Sequence, residues 1–290
     1  MKSPDMSTLA KTGLFDKAIP DISTETFEVI QRALKNLKNF NLDIYKDKCI
    51  KRRIAIRIRA THSNTAEEYC NLLHQNEGEL DCLLKVLTIH VSQFYRNPPT
   101  FEKLHSEIFP YLFTRCNREG RDGLKLWSVG CSSGEEPYTV ALILKDFFAD
   151  EMTQHQVTIL ATDVDAGILD VAQKGIYVEE RLVGAPQQIK TRWFSMQGGK
   201  YHLAPEIKEM VTFRQSDLFD IDSFPESDLI LCRNVLIYFE RWQQEKIISR
   251  FADILGKGGI LILGKSETLF GENRRRFQTV CPVERIYKVM

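Results

Sequence analysis

From Leu124 onward, short apolar runs alternate with stretches of helical period, and this alternation limits the possible folds more than any other feature. Residues 124–129 form an apolar run stopped by Gly130, residues 135–148 are helical in period, and residues 157–161 form a second run. A helix over Ala166–Lys174 follows. Two further runs, Leu229–Cys232 and Ile260–Leu263, flank a helix over Arg241–Leu255 that Gly256 closes. Buried strands separated by helices predict a parallel sheet covered on both faces.

The first third of the chain has a different period. Phe27, Ile30, Leu34 and Leu37 fall at i, i+3, i+7, i+10, and Leu80, Leu83, Leu84 and Leu87 at i, i+3, i+4, i+7, so residues 22–88 are expected to be helical. Thr65-Ala66-Glu67-Glu68 reads as a capping box opening one of these helices. Asn97-Pro98-Pro99 is a break, followed by a helix carrying Phe101, Leu104, Ile108 and Leu112. The rhythm is interrupted once more over residues 176–215, where Gln197-Gly198-Gly199-Lys200 signals a turn and Val211 and Phe213 alternate with Thr212 and Arg214. This stretch is expected to be a small β insertion. The chain thus divides into a helical domain over residues 20–95 and an α/β domain over residues 96–290, with the insertion at 176–215 inside the second.

Composition excludes several classes. A net charge of zero provides no global field to recruit nucleic acid or an anionic membrane, so charged recognition must be local. Residues 1–14 lack the apolar segment of a signal peptide, and no apolar run approaches the ~20 residues needed to span a bilayer. The seven cysteines are scattered and never spaced as C-x-x-C, which argues against a disulfide framework or a metal site and suits a reducing cytoplasm.

The segment Leu126–Pro137 reads as a strand, a glycine loop and a helix start, an arrangement that lets a ligand approach the backbone at the strand's carboxyl end. A phosphate at a helix N-terminus wants bare N–H groups, yet Glu135 and Glu136 occupy this first turn and the G-x-G-x-x-G spacing is absent. A ligand with cationic groups, such as the ammonium and sulfonium of S-adenosylmethionine, fits better. Complementing the helix dipole is the other reading of the two glutamates. Asp163 ends the second strand, where such folds bind a ribose hydroxyl pair; the competing role, a cap for the next helix, suits Asp165 better. Asp217-Leu218 could offer a polar and an apolar contact to an adenine edge.

Gly134-Glu135-Glu136-Pro137-Tyr138 and Cys232-Arg233-Asn234-Val235-Leu236-Ile237-Tyr238-Phe239 resemble two signature motifs of the CheR family of chemotaxis-receptor glutamate methyltransferases. Ser92-Gln93-Phe94-Tyr95-Arg96-Asn97 resembles a third, and the three occur in order over nearly the whole chain. The resemblance implies a Rossmann-like α/β S-adenosylmethionine-dependent methyltransferase domain with a small antiparallel β-subdomain, preceded by an all-α domain. It implies that Ser92, Arg96, Gly130, Gly134 and Glu135 hold the methionine end of S-adenosylmethionine, Asp163 the ribose and Asp217-Leu218 the adenine, with Arg233-Asn234 as the inner wall. Tyr238 is then nearest the transferring methyl. Among the cofactor-binding residues the resemblance implies, Ser92 stands for the usual Thr, Asp217 for an Asn, and His90, a further one, stands where many members have Asn.

A glutamate carboxylate, with a reference pKa of about 4.3, is ionised at neutral pH and needs no general base to accept a methyl group. Tyr238 and Arg96 are the candidate catalytic residues, to hold carboxylate and methyl in line; a packing role is the other reading of Tyr238. The product would be S-adenosylhomocysteine. Lys46, Lys48, Lys51, Arg52, Arg53, Arg57 and Arg59 lie on a helix whose Ile50, Ile54 and Ile58 can pack inward, leaving the bases outward. Receptor methylation helices are rich in Glu and Gln, so this face is the expected substrate reader. A solvated face and RNA binding are the alternatives, and a non-catalytic S-adenosylmethionine sensor is a further one. The resemblance points to a cytoplasmic monomer acting on the cytoplasmic helices of methyl-accepting receptors, with no nucleic acid partner, membrane insertion or metal.

Overall fold

The computed structural model describes residues 22–38, 40, 42–43, 45–87 and 92–290; the polar stretch before residue 22 and Thr88 fall outside them. Among the described residues the chain forms two compact units, the helical region joined by Tyr238–Glu240, and the remainder. Ser92–Tyr95 fall in the second unit, so the division lies a few residues before the expected 95/96 boundary. No helix among the described residues is long and apolar enough to cross a membrane.

The helical unit contains α1 (Thr24–Lys38), α2 (Asp47–Ala60), α3 (Ala66–Gln75) and α4 (Glu77–Leu87). Phe27, Ile30 and Leu34 are buried on α1 as their spacing requires, but Leu37, one turn past the core, is 60% exposed. Thr65 caps α3 by accepting the Glu68 N–H at 3.1 Å. The reciprocal bond is displaced by one residue, because the Glu68 carboxylate accepts the N–H of Asn64 at 2.7 Å rather than that of Thr65.

The face of α2 is where the sequence expectation needs correction. Arg53 and Arg57 do not point outward; they are 6% and 4% exposed. With Ile50, Ile54 and Ile58 they occupy i, i+3, i+4, i+7 and i+8, the full width of a buried helical stripe, and the reading from isoleucines alone drew that stripe too narrow. Arg57 grips Glu79 of α4 through two hydrogen bonds, of 2.9 and 2.5 Å, and the Tyr69 hydroxyl donates to the same carboxylate at 2.8 Å. Burial beside Glu79 pushes the Tyr69 phenol well above its ordinary pKa, so it stays a donor. Arg53 donates to the Leu87 carbonyl.

The second unit begins with α5 (Pro98–Lys103), a π turn (Leu104–Ile108) and α6 (Phe109–Arg118), and the expected Phe101, Leu104, Ile108 and Leu112 are all buried along them. Then come β1 (Gly123–Val129), α7 (Glu135–Phe147), α8 (Ala149–Gln154), β2 (Gln156–Asp163), α9 (Ala166–Lys174), β3 (Ile176–Tyr177), α10 (Gln187–Trp193), β4 (Phe194–Gln197), β5 (Lys200–Leu203), α11 (Pro205–Lys208), β6 (Val211–Gln215), β7 (Leu229–Cys232), α12 (Arg241–Leu255), β8 (Ile260–Leu263), α13 (Asn273–Arg276), β9 (Phe277–Cys281) and β10 (Ile286–Val289). The main sheet runs β6-β2-β1-β7-β8-β10-β9. Its first five strands are parallel, and β10 and β9 close the far edge as an antiparallel pair. Chain order reverses between β1 and β7, the switch point at which doubly wound sheets bind ligands.

The insertion is a separate three-stranded antiparallel sheet, β3-β5-β4. Gly198 and Gly199, at φ 56° and 73°, form the expected two-residue turn, where both positions need a positive φ. Residues 211–215, however, leave the insertion. They form β6, an edge strand of the main sheet parallel to β2, with Ile159 opposite Val211 and Asp163 opposite Gln215. Alternation marks a half-covered strand without saying which sheet it joins, so hairpin and edge strand look alike in sequence.

Removing Glu79 would leave the Arg57 guanidinium buried without its carboxylate. Glu79→Ala should cost about 3 kcal/mol, read from the urea unfolding of the helical unit; a loss under about 1 kcal/mol would show that this pair is not what fixes α2.

Candidate functional site

The carboxyl ends of β1, β2, β7 and β8 lie along one edge of the sheet, and the loops leaving them build the site. Beyond β1 the backbone turns through three positive φ angles, at Gly130 (63°), Ser132 (52°) and Gly134 (88°), before α7 begins. Gly130 is obligatory by space as well as by angle, since a Cβ there would lie 2.5 Å from Cγ2 of Val235 in the β7 loop. Asp163, at the end of β2, holds this turn. One carboxylate oxygen accepts the Ser132 N–H at 2.8 Å and the other the Asp165 N–H at 3.1 Å. Asp165 takes the capping role instead, accepting the N–H groups of Gly167 and Ile168 at the start of α9. Burial pushes the Cys131 thiol of the same turn well above its ordinary pKa, so the loop carries no reactive thiolate.

The two glutamates that open α7 have different partners. Glu135 is fully buried, accepts the Ser133 hydroxyl at 2.7 Å and lies 3.5 Å from Arg181. Glu136 accepts the Ser128 hydroxyl at 2.9 Å and pairs with Arg233 at 3.1 Å. Both arginines also hold the segment Ser92–Arg96. Arg181 donates to the Ser92 carbonyl, its own carbonyl accepts the Phe94 N–H at 2.8 Å, and Arg233 donates to the Arg96 carbonyl at 2.7 Å. The structure thereby brings together Ser92, Arg96, Gly130, Gly134, Glu135, Asp163, Arg233 and Asn234. Arg181 escaped the sequence reading: it lies alone among Glu180 and Leu182, and only the fold carries it to Glu135.

Asp217 and Leu218 follow β6. The Ser216 N–H donates to the Asp163 carbonyl at 3.0 Å, which sets this loop beside the end of β2. Asp217 is exposed and accepts the Phe219 N–H at 2.9 Å, while Leu218 is half-buried. His90 lies outside the described residues. Tyr238 belongs to the helical unit: its carbonyl accepts the Lys46 N–H at 2.9 Å, and the Arg53 guanidinium lies 4.4 Å from its ring centroid. On α2, Lys48 and Arg52 are exposed and Lys51 and Arg59 half-buried, as is Lys46 just before the helix, so the accessible basic face is smaller than expected.

Among the described residues, five buried side-chain polar atoms have no hydrogen-bond partner, and three are in the β1 and β7 loops: Ser132 Oγ, Asn234 Oδ1 and Arg233 Nε. Buried polar groups are normally satisfied, so this concentration at the switch point marks a place where a ligand completes the bonding. The orphan atoms are an amide oxygen, a hydroxyl and a guanidinium N–H, and Glu135 and Glu136 beside them are paired with Arg181 and Arg233, so the cradle offers both acceptors and donors to a polar cofactor. A doubly wound sheet with such a cradle at its switch point accommodates the cofactor of an S-adenosylmethionine-dependent methyltransferase.

Comparison with known proteins agrees. Residues 90–284 match the family model described as CheR methyltransferase, SAM binding domain, and residues 25–88 match CheR methyltransferase, all-alpha domain. A "Chemotaxis protein methyltransferase" of Borreliella burgdorferi is 32% identical over 87% of this chain and 92% of its own length. One of Listeria innocua is 34% identical with the same coverage, and "Chemotaxis protein methyltransferase 2" of Pseudomonas aeruginosa is 30% identical over 90% of this chain and 93% of its own. The chain belongs to the CheR methyltransferase family.

Arg181→Met would remove the cation beside buried Glu135 and release the Ser92 carbonyl. Calorimetric titration with S-adenosylhomocysteine should show affinity reduced by about tenfold or more; affinity within about twofold of wild type would mean that Arg181 has no part in shaping the cradle.

Proposed function

We propose that this protein transfers the methyl group of S-adenosylmethionine to glutamate side chains on the cytoplasmic helices of chemotaxis receptors, giving glutamate methyl esters. The observation that carries this reading is the cluster of unpartnered buried atoms at the switch point, in a chain of the CheR family. Held there, S-adenosylmethionine supplies an electrophilic methyl on a sulfonium. The chain's residues have three tasks.

Asp163 is suited to the ribose hydroxyls, Asp217 and Leu218 to the adenine, and Ser92, Arg96 and the glycine loop with Glu135 to the methionine end. Arg233 and Asn234 form the inner wall. Tyr238 and Arg96 orient the acceptor carboxylate for in-line attack, and because that carboxylate is ionised no residue has to remove a proton. Exposed Lys48 and Arg52, with half-buried Lys51 and Arg59, attract the acidic receptor helix. Arg53 and Arg57 support this face from within rather than touching substrate, which supports a narrower recognition surface than seven outward bases would give. The protein is assigned to the cytoplasm, where those receptor helices lie, as a monomer with no nucleic acid partner.

The test is incubation with methyl-labelled S-adenosylmethionine and a chemoreceptor cytoplasmic fragment. Label released as methanol by alkali is expected; base-stable label would move the acceptor to nitrogen and overturn the ester. Tyr238→Phe and Arg96→Ala should each lower kcat by about tenfold or more at saturating cofactor, and full turnover in both would refute their assigned roles.

A further inference from the structure

The β7 loop turns on Asn234, at φ 62°, a left-handed conformation that asparagine tolerates better than other non-glycine residues and that local hydrogen bonds here hold in place. The group that holds this turn's amides is Glu267, which follows β8 and is 3% exposed. Its Oε2 accepts the N–H of Asn234 at 2.9 Å and of Gly264 at 2.6 Å, and its Oε1 accepts those of Val235 at 2.9 Å and Leu236 at 2.7 Å. Four donors on two oxygens use all the lone pairs a carboxylate has. Burial holds the pKa of this carboxyl above the ordinary carboxylate value, and the same four amides offset that rise only in part. Gly264 completes the fit, since a Cβ there would stand 2.7 Å from Glu267 Oε2 and 2.8 Å from the Asn234 nitrogen. The first residue held in this way carries Asn234 Oδ1 and the residue just before it carries Arg233 Nε, two of the buried atoms without partners.

We propose that Glu267 is the positioning residue of the cofactor wall: its buried carboxylate templates the left-handed turn at Asn234 and so presents Arg233 and Asn234 to S-adenosylmethionine before the ligand arrives. The inference rests on assigning Arg233 and Asn234 to that wall. Both Glu267 oxygens are taken up by backbone amides. Glu267 acts through the backbone, and a glutamine cannot replace it, because an amide nitrogen would face two N–H donors.

Two variants and two readouts test it. Glu267→Gln and Asn234→Ala are titrated with S-adenosylhomocysteine, and hydrogen exchange is followed in the ligand-free protein. In Glu267→Gln the affinity should fall by about tenfold or more. Exchange should accelerate at the Asn234, Val235, Leu236 and Gly264 amides while those of β1 and β2 stay protected. If Asn234→Ala weakens binding but Glu267→Gln binds within about twofold of wild type, the positioning role is overturned and the wall stands. If Asn234→Ala itself binds as wild type, the wall assignment fails and this inference with it. Should Glu267→Gln fail to fold, the wild-type protein decides. Without ligand its four caged amides should exchange as slowly as those of β8, and fast exchange there would overturn a preformed wall.

Discussion

The site depends on buried carboxylates that accept backbone N–H groups at the carboxyl edge of the sheet. Asp163 holds the turn after β1 through the Ser132 N–H, and Glu267 holds the turn after β7 through three consecutive amides and a fourth from the end of β8. Each turn contains a non-glycine residue in the left-handed region, Ser132 in one and Asn234 in the other. Such conformations cost of order 1 kcal/mol or more each and persist only where the surroundings over-determine them. Charge-assisted bonds to a carboxylate are among the few contacts strong enough to do so. What results is a set of buried polar atoms aimed at the switch point between β1 and β7.

A second layer of charge fixes the approach to that edge. Glu135 and Glu136 would repel each other and the neighbouring Asp163 if left bare. Arg181 and Arg233 neutralise them while drawing in the Ser92–Arg96 segment by its carbonyls. Two arginines, at 181 and 233, thus join residues 92–96 to residues 135–136, and the carboxylates they pair with can be buried only because the pairing exists. In the helical unit the same logic appears in Arg57, Glu79 and Tyr69, where a buried pair orients α2 and leaves Lys48 and Arg52 outward.

Much of this was legible in the sequence where one local segment carries the information. The glycine loop, the acidic first turn of α7, Asp163 at a strand end and Asp165 as the cap all follow from spacing within a dozen residues, and so does the Gly198-Gly199 turn. What was not legible depends on which distant segment arrives. Val211–Gln215 has the alternation of a half-covered strand and reveals nothing of its partner, β2. Arg53 and Arg57 look like surface bases until Leu87 and Glu79 are brought to them. Arg181 and Glu267 stand in ordinary surroundings, Glu180-Arg181-Leu182 and Ser266-Glu267-Thr268, and only the fold aims them at the site. The β9–β10 pair that closes the sheet was likewise missed, since antiparallel partners at a chain end carry no helix between them to set the rhythm.

The central claim is that the carboxyl edge between β1 and β7 is a preformed cradle for S-adenosylmethionine. A crystal structure with S-adenosylhomocysteine tests it most directly. The ligand should lie across the glycine loop, with polar atoms within hydrogen-bond reach of Ser132 Oγ and Asn234 Oδ1, and with the backbone at Asn234 still left-handed. A ligand seated elsewhere, or one that leaves both atoms unpaired, would contradict the account.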